Sequence, residues 1–135
     1  MANTLELVVR MVIIYRRRML FCRMKGQKWF FLPGGHTEFG ERILKTLRRE
    51  LKEELGVRER SARLIGTAEN IYLDRKYGRD RKRHEINFVF RVKLSEYALR
   101  SREGHIEFVW LTLAELRRAR VLPAPIKRLI LRTVS

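Results

Sequence analysis

A chain of 135 residues, 45% of them hydrophobic, has the length of one ordinary domain and enough apolar content to bury a core without staples. Its 31 Lys plus Arg against 15 Asp plus Glu leave a net charge of +16, a field that concentrates polyanions such as nucleotides or RNA, although genomic base composition and life at high temperature also enrich surface arginine. No uncharged apolar run reaches the ~18 residues a bilayer span needs, and the apolar run at residues 7–15 is interrupted by Arg10 with neither a basic region before it nor a small-residue cleavage site after it, so it does not read as a secretion signal.

With 8 Gly and 3 Pro there is no linker-like stretch, and residues 1–135 are expected to form a single domain. The single cysteine, Cys22, lies in an apolar run where a small hydrophobe packs. No histidine and carboxylate are marked out to activate it, so it reads as core filler in a reducing, cytoplasmic setting.

In chain order, residues 6–15 and 19–25 are rich in Val, Ile, Leu, Met and Phe and flank Arg16, Arg17 and Arg18, which predicts a hairpin with a charged turn. A short strand over 29–32 runs into Pro33, Gly34 and Gly35, which stop it. From 41 to 55, Ile43, Leu44, Leu47, Leu51 and Leu55 recur at three- and four-residue spacing and predict a helix with an apolar stripe, closed by Gly56. Strands are expected over 62–73, 85–94 and 106–111, the first two joined by a basic loop at 74–84. A short helix or turn over 112–120 and a C-terminal helix over 124–132, entered through Pro123 and Pro125, complete the chain. Helices interrupt the strands rather than alternate with them, so the expected class is α+β, a mixed β-sheet between α-helices.

At ~100° per residue, Glu50 and Glu54 share one face of the central helix and Glu53 lies beside them, with the leucines turned the other way. Like charges at this spacing repel by a few tenths of a kcal/mol each, and most glutamate clusters on helices are simply solvated faces. A hard divalent cation reverses the sign, and oxygen ligands of this kind suit Mg²⁺ or Mn²⁺.

The segment Gly35-His36-Thr37-Glu38-Phe39-Gly40-Glu41, followed after Arg48 by Arg49-Glu50-Leu51-Lys52-Glu53-Glu54-Leu55-Gly56-Val57, matches the Nudix box at every specified position. The chain therefore resembles the Nudix hydrolases, and the element order around the box resembles their fold. The resemblance implies that Glu50, Glu54 and Glu53 are metal ligands, with the backbone of Gly34 and Gly35 letting a carbonyl come near the ion. It implies catalytic roles for Glu53 and Glu54, and an ion pair between Arg49 and Glu41 that orients the glutamates. It also implies a substrate with a pyrophosphate link, attacked at phosphorus by water in the presence of Mg²⁺ or Mn²⁺. The general base comes either from the box, where Glu53 is the candidate, or from a loop glutamate outside it. There Glu103 is the foremost of Glu96, Glu103 and Glu107, any of which also reads as an ordinary surface glutamate. A homodimer is common among relatives.

Substrate choice lies outside the box. Residues 72–84 interleave two tyrosines with six basic side chains, and Tyr72, Arg75, Lys76, Tyr77 and Arg79 are the candidates for stacking a base and holding phosphates; the bland alternative is a solvated hairpin loop. The proline that ADP-ribose-cleaving relatives often carry after the box is missing from 65–74, whereas Tyr72 lies near the tyrosine of dinucleoside polyphosphate relatives. His36, His84 and His105 lack metal-ligand spacing and read as solvent-facing or hydrogen-bonded, and Trp110 reads as core. The expected substrate is a nucleoside triphosphate or a dinucleoside polyphosphate. Pyrophosphate removal from the 5′ end of RNA and ADP-ribose cleavage are enzymatic alternatives. The non-enzymatic alternative is a nucleic-acid-binding module, whose signature would be degenerate glutamates.

Overall fold

The structure, a computed structural model, describes residues 4–75 and 80–134. Its strands are β1 (Leu5–Val12), β2 (Ile14–Tyr15), β3 (Arg18–Met24), β4 (Gly34–His36), β5 (Glu59–Asp74), β6 (Arg81–Leu94) and β7 (Ile106–Thr112), and its helices are α1 (Ile43–Leu55), α2 (Leu113–Arg118) and α3 (Ala124–Val134). The class is α+β. The expected one mixed sheet is two: a mixed four-stranded sheet in the order β4-β1-β6-β5 and an antiparallel three-stranded sheet in the order β2-β3-β7.

The split begins inside the first apolar run. Residues 6–15 do not hairpin as a whole onto 19–25: β1 runs parallel to β6 in the larger sheet, and only Ile14 and Tyr15 pair with Met19 and Arg18. The turn between them places Arg16 and Arg17 at φ 52° and 64°, the two successive left-handed residues of the tight turns that suit strand twist. Strand β1 is apolar at nearly every position because both of its faces are covered. Val9, Met11 and Ile13 pack with Leu47, Leu51 and Leu55 of α1. Val12 faces the other way, into a core built by Met19, Phe21, Leu116, Ile126, Leu129 and Ile130. Helices thus lie on both sides of the sheets.

The expected strand at 29–32 is reduced to isolated bridges, Cys22 to Phe31 and Phe30 to Val121. The strand forms instead at Gly34–His36, antiparallel to β1, at the residues expected to end it. The reason is close approach. A Cβ at Gly34 would lie 1.9 Å from the Val9 carbonyl oxygen, and φ there is +148°, so glycine makes the pairing possible rather than terminating it.

Helix α1 starts at Ile43 rather than 41, because the Glu41 carboxylate turns back to accept from the Glu38 N–H (3.1 Å) and the Thr46 hydroxyl (2.8 Å). Gly56 ends it in the left-handed conformation, its N–H reaching the Leu51 carbonyl at 2.9 Å. Leu44, expected in the apolar stripe, is exposed; it sits at the stripe's edge, past the width the sheet covers. The long hairpin of β5 and β6 extends to Asp74 and Arg81, so both ends of the expected loop at 74–84 are strand, and residues 76–79 lie outside the described residues. Thr112 and Glu115 close a reciprocal capping box on α2.

Candidate active site

Helix α1 carries the box glutamates beside the backbone of β4. The Glu54 carboxylate accepts from the Gly34 N–H at 3.2 Å. A Cβ on Gly35 would fall 2.3 Å from Glu50 Oε1, so the absence of a side chain is what leaves room for that carboxylate. Glu50 is buried next to Glu54. Burial, followed by the charge of Glu50, pushes Glu54 up to about 8, and burial likewise raises Glu50. Two carboxylates crowded in a half-buried recess are each held toward the protonated form, and a cation between them would reverse that preference.

Arg49 organises the cluster. Its guanidinium donates to both oxygens of Glu41 (Nε to Oε2 2.8 Å, Nη2 to Oε1 2.9 Å), to Glu50 Oε1 (2.9 Å) and to the His36 carbonyl (3.0 Å). The forked pair, with Thr46 and the Glu38 N–H, holds Glu41 down at about 2, and Glu41 in turn raises Arg49. Glu53 stands apart from its two neighbours: its side chain is 57% exposed and meets Arg49 at 3.5 Å. The helix therefore brings Glu50 and Glu54 together and leaves Glu53 at the rim.

Of the three loop glutamates, Glu103 lies within electrostatic reach of Glu54 and helps raise it, carried there by a loop whose Arg102 N–H bonds the Glu54 carbonyl. Glu107 points to Arg23 at 2.7 Å, and Glu96 is exposed without a hydrogen bond or ion pair among the described residues. Cys22 is buried and its thiol is pushed up by burial, which makes it inert. Trp110 packs against the α1 core and meets Tyr15 edge-on.

On the other face of the larger sheet a cleft of about 470 Å³ is lined by Arg10, Asn70, Tyr72, Glu85 and residues of the segment 122–125. Tyr72 lines this cleft. Arg75 is 77% exposed and pairs loosely with Asp80 (3.7 Å), while Lys76, Tyr77 and Arg79 lie outside the described residues. The sequence reading missed Arg10, Asn70 and Glu85. Arg10 is fully buried, donates to the Leu32 carbonyl at 3.0 Å and leaves its Nε without a partner. It feels Glu85 on one side and Glu54 and Glu50 on the other, and so joins the cleft to the glutamates. The available signal was alternation: Glu6 and Arg10 occupy the same face of a strand whose other face, Val9 and Met11, is wholly apolar.

Beside the cleft, Glu6, His36 and Glu85 bring ligand atoms within 4.8 Å of one another. Glu6 is already engaged there by Arg83, which also meets Asp74 at 3.1 Å, and His36 reaches Glu6 at 3.2 Å. His36 thus meets a carboxylate beside the cleft, and His84 likewise meets Glu69 at 2.5 Å.

Two small sheets clasped by helices, with an arginine-ordered glutamate pair against a glycine backbone, form an architecture seen in known structures. The crystal structure of the mutator MutT protein from Bacillus halodurans superposes with a TM-score of 0.77 at 22% identity, over 96% of this chain and 83% of that one. The MutT Nudix hydrolase of Burkholderia pseudomallei gives 0.72 at 22% identity, over 98% and 100%. The Nudix domain of Shewanella oneidensis NrtR, solved with ADP ribose, gives 0.66 at 16% identity, over 96% and 85%. The NUDIX domain is matched over residues 5–132. The chain belongs to the Nudix family and is a Nudix hydrolase.

Nudix hydrolases work with a divalent metal ion. The residues here suit one: two carboxylates driven together in a recess, their ionisation suppressed until a cation arrives, with the glycine backbone of Gly34 and Gly35 alongside. Among the described residues no helix is long and apolar enough to cross a membrane.

Proposed function

We propose that this chain hydrolyses a phosphoanhydride bond in a nucleoside triphosphate or dinucleoside polyphosphate, with Mg²⁺ or Mn²⁺, releasing a monophosphate among its products. The observation that carries the reading is the Glu50–Glu54 pair, set against the backbone of Gly34 and Gly35 and held in register by Arg49 and Glu41. Glu50 and Glu54 would hold the ion, with Glu53 at the rim as a further ligand and a carbonyl of Gly34 or Gly35 nearby. When bound, the ion supplies charge stabilisation for the phosphate oxygens and acidifies the attacking water.

The protein's own groups do the rest. Arg49 keeps Glu50 oriented, because a forked guanidinium cannot swing away from Glu41 without losing two charge-assisted bonds. Glu103, within electrostatic reach of Glu54, is the base candidate outside the box to take the proton from water, and Glu53, at the rim beside Arg49, is the candidate within it. In the cleft, Tyr72 offers a ring for stacking, and Arg10, Asn70 and Glu85 offer donors and acceptors for a nucleotide.

The test is a panel of nucleoside triphosphates, dinucleoside polyphosphates, ADP-ribose and 5′-triphosphorylated RNA assayed with Mg²⁺ and Mn²⁺ for phosphate and pyrophosphate release. The reading fails if the folded protein turns over none of the nucleotides, or if Glu54→Gln turns them over as fast as wild type. The same variant disposes of the pure binding module, which would keep its affinity and have no turnover to lose. A second reading, removal of pyrophosphate from the 5′ end of RNA, is favoured by the net charge of +16.

A further inference from the structure

Arg10 stands at the junction of the cleft and the glutamates with most of its hydrogen-bonding capacity unused. A guanidinium carries five N–H donors and no acceptor. Here Nη1 donates to the Leu32 carbonyl at 3.0 Å, and Nε is buried without a partner. Among the described residues Nη2 makes no hydrogen bond and no carboxylate forms an ion pair with the group. Glu85, Glu54 and Glu50 favour its charge only from a distance, against the burial that opposes it. A buried cation without a hydrogen-bonded counter-ion is costly, and an anion entering the cleft removes that cost. Among the described residues lining the cleft, Arg10 is the one cation; the wall at 122–125 is Leu, Pro, Ala and Pro.

Strand register fixes where this cation lies. Residues 6, 8 and 10 of β1 share the cleft face. Arg10 pairs with Gly34, whose N–H holds Glu54. At the other end of the face, Glu6, Glu85 and Asn70 form one row across β1, β6 and β5, with Tyr72 two residues further from Arg10 on β5. At ~3.3 Å per residue, that row is about 13 Å from Arg10 along the strand. Between them Val8 and Asn87 are fully buried and close the floor. Polar groups and a ring at one end, a closed floor in the middle and a guanidinium at the other end match the order of base, sugar and phosphate in a nucleotide. A further phosphate then lies toward Gly34 and Glu54.

We propose that Arg10 binds the phosphate attached directly to the nucleoside, and that this contact is what lets the cleft tell a nucleotide from its nucleoside. The proposal rests on the reading of the chain as a nucleotide hydrolase, and it goes beyond that reading in giving one phosphate to one residue outside the box.

The experiment uses the full chain and two variants. Arg10→Met keeps a long apolar stem and removes the guanidinium, an exchange that buried sites often tolerate. Arg10→Lys keeps the charge and removes the fork. Binding of AMP, GMP, CMP and UMP, and of the four matching nucleosides, is measured by isothermal titration in chelator, so that no metal ion holds the phosphate. Wild type is expected to bind its best monophosphate at least about 10-fold more tightly than the same nucleoside, the scale of charge-assisted hydrogen bonds. Arg10→Met should lose that preference while its nucleoside affinity stays within about twofold of wild type, and Arg10→Lys should fall between the two.

A wild type with no preference for any monophosphate over its nucleoside would overturn the proposal. So would an undiminished preference in Arg10→Met. An equal loss on nucleoside and monophosphate also counts against it, because that is what a residue that only shapes the cleft would cause. If Arg10→Met does not unfold cooperatively, Arg10→Lys decides in its place, and an unreduced preference there sinks the idea. Turnover of nucleotides by a wild type lacking the preference defeats this inference and leaves the hydrolase reading intact. An Arg10-dependent preference with no turnover of any substrate does the reverse.

Discussion

Replacing Glu54 by Gln in the metal-free protein should make it more stable at pH 8 and remove a pH dependence that wild type shows. Glu54 titrates at about 8 in the fold against an ordinary value of 4.5, so the folded state favours the protonated form. The sign follows: the contribution is complete below 4.5 and is lost as pH rises toward 8, because the unfolded chain releases its proton first. At about 1.4 kcal/mol per pKa unit, that difference reaches about 4 kcal/mol at pH 8, where the folded group is half ionised. For a domain of this size the loss corresponds to roughly 15 °C in Tm, shared with Glu50 because the two carboxylates release protons against each other. Gln keeps the shape, keeps an acceptor for the Gly34 N–H and cannot ionise.

The assay is thermal unfolding of wild type and Glu54→Gln in chelator from pH 5 to 8, read as the difference between the two so that the self-repulsion of a +16 chain cancels. Mg²⁺ or Mn²⁺ at a hundred times the Kd should then stabilise wild type by about 3 kcal/mol, with the largest rise in Tm at pH 8, and leave the variant's Tm almost unmoved. A difference that stays flat across the window, or a variant that is less stable than wild type at pH 8, would refute the reasoning.

Glu41→Gln breaks one arm of the fork on Arg49 without touching the proposed ligands, and turnover should fall about 10- to 100-fold with KM for the metal raised; steady-state kinetics at several metal concentrations decide it. Gly35→Ala puts a methyl 2.3 Å from Glu50 Oε1, so the carboxylate must swing out, and isothermal titration should show divalent-metal binding lost in a protein that still unfolds cooperatively. Glu103→Gln, if Glu103 takes the proton from water, costs about 10²- to 10⁴-fold in kcat with the metal Kd unchanged, whereas the same loss in Glu53→Gln alone would move that role to the box. Leu51→Ala, at a fully buried position in the α1 core, should cost about 2–5 kcal/mol in urea unfolding.

The helix that carries the glutamates was legible because an amphipathic stripe and a glycine cap are local signals, and so was the arginine–glutamate pair, because the box fixes its spacing. The sheet was less so. Whether residues 6–15 make one hairpin arm or change sheets at Ile13 depends on partners seventy or more residues away in β6, and no local pattern in a largely apolar strand records that. Gly34 and Gly35 were read as strand breakers by propensity; tertiary contact with Val9 and Glu50 turned them into the strand at the centre of the site. The box glutamates look alike in sequence, yet the helix's fit against β4 buries Glu50 and leaves Glu53 outside. Arg10 looked only like an interruption of an apolar run. Its meaning, a buried guanidinium between Glu85 and the glutamate pair, exists only once β1 is seated between β4 and β6.

That placement bears on why a chain of such high positive charge keeps an acidic centre. Glu41, Glu50 and Glu53 gather on Arg49, Glu54 and Glu103 lie next to them, and Glu85 with Glu6 continues the series across β1. Against them stand fixed cations already committed: Arg49 to Glu41 and Glu50, and Arg83 to Glu6 and Asp74. Arg10 is the one whose charge is shared rather than paired, with burial working against its protonation and carboxylates on both sides working for it. The balance is an island of negative charge that local arginines orient but do not neutralise, surrounded by a surface of opposite sign. A charge distribution of this kind favours a divalent cation at its centre and a polyanion at its rim, and Arg49, bonded to Glu41 and Glu50, stands at the boundary between the two.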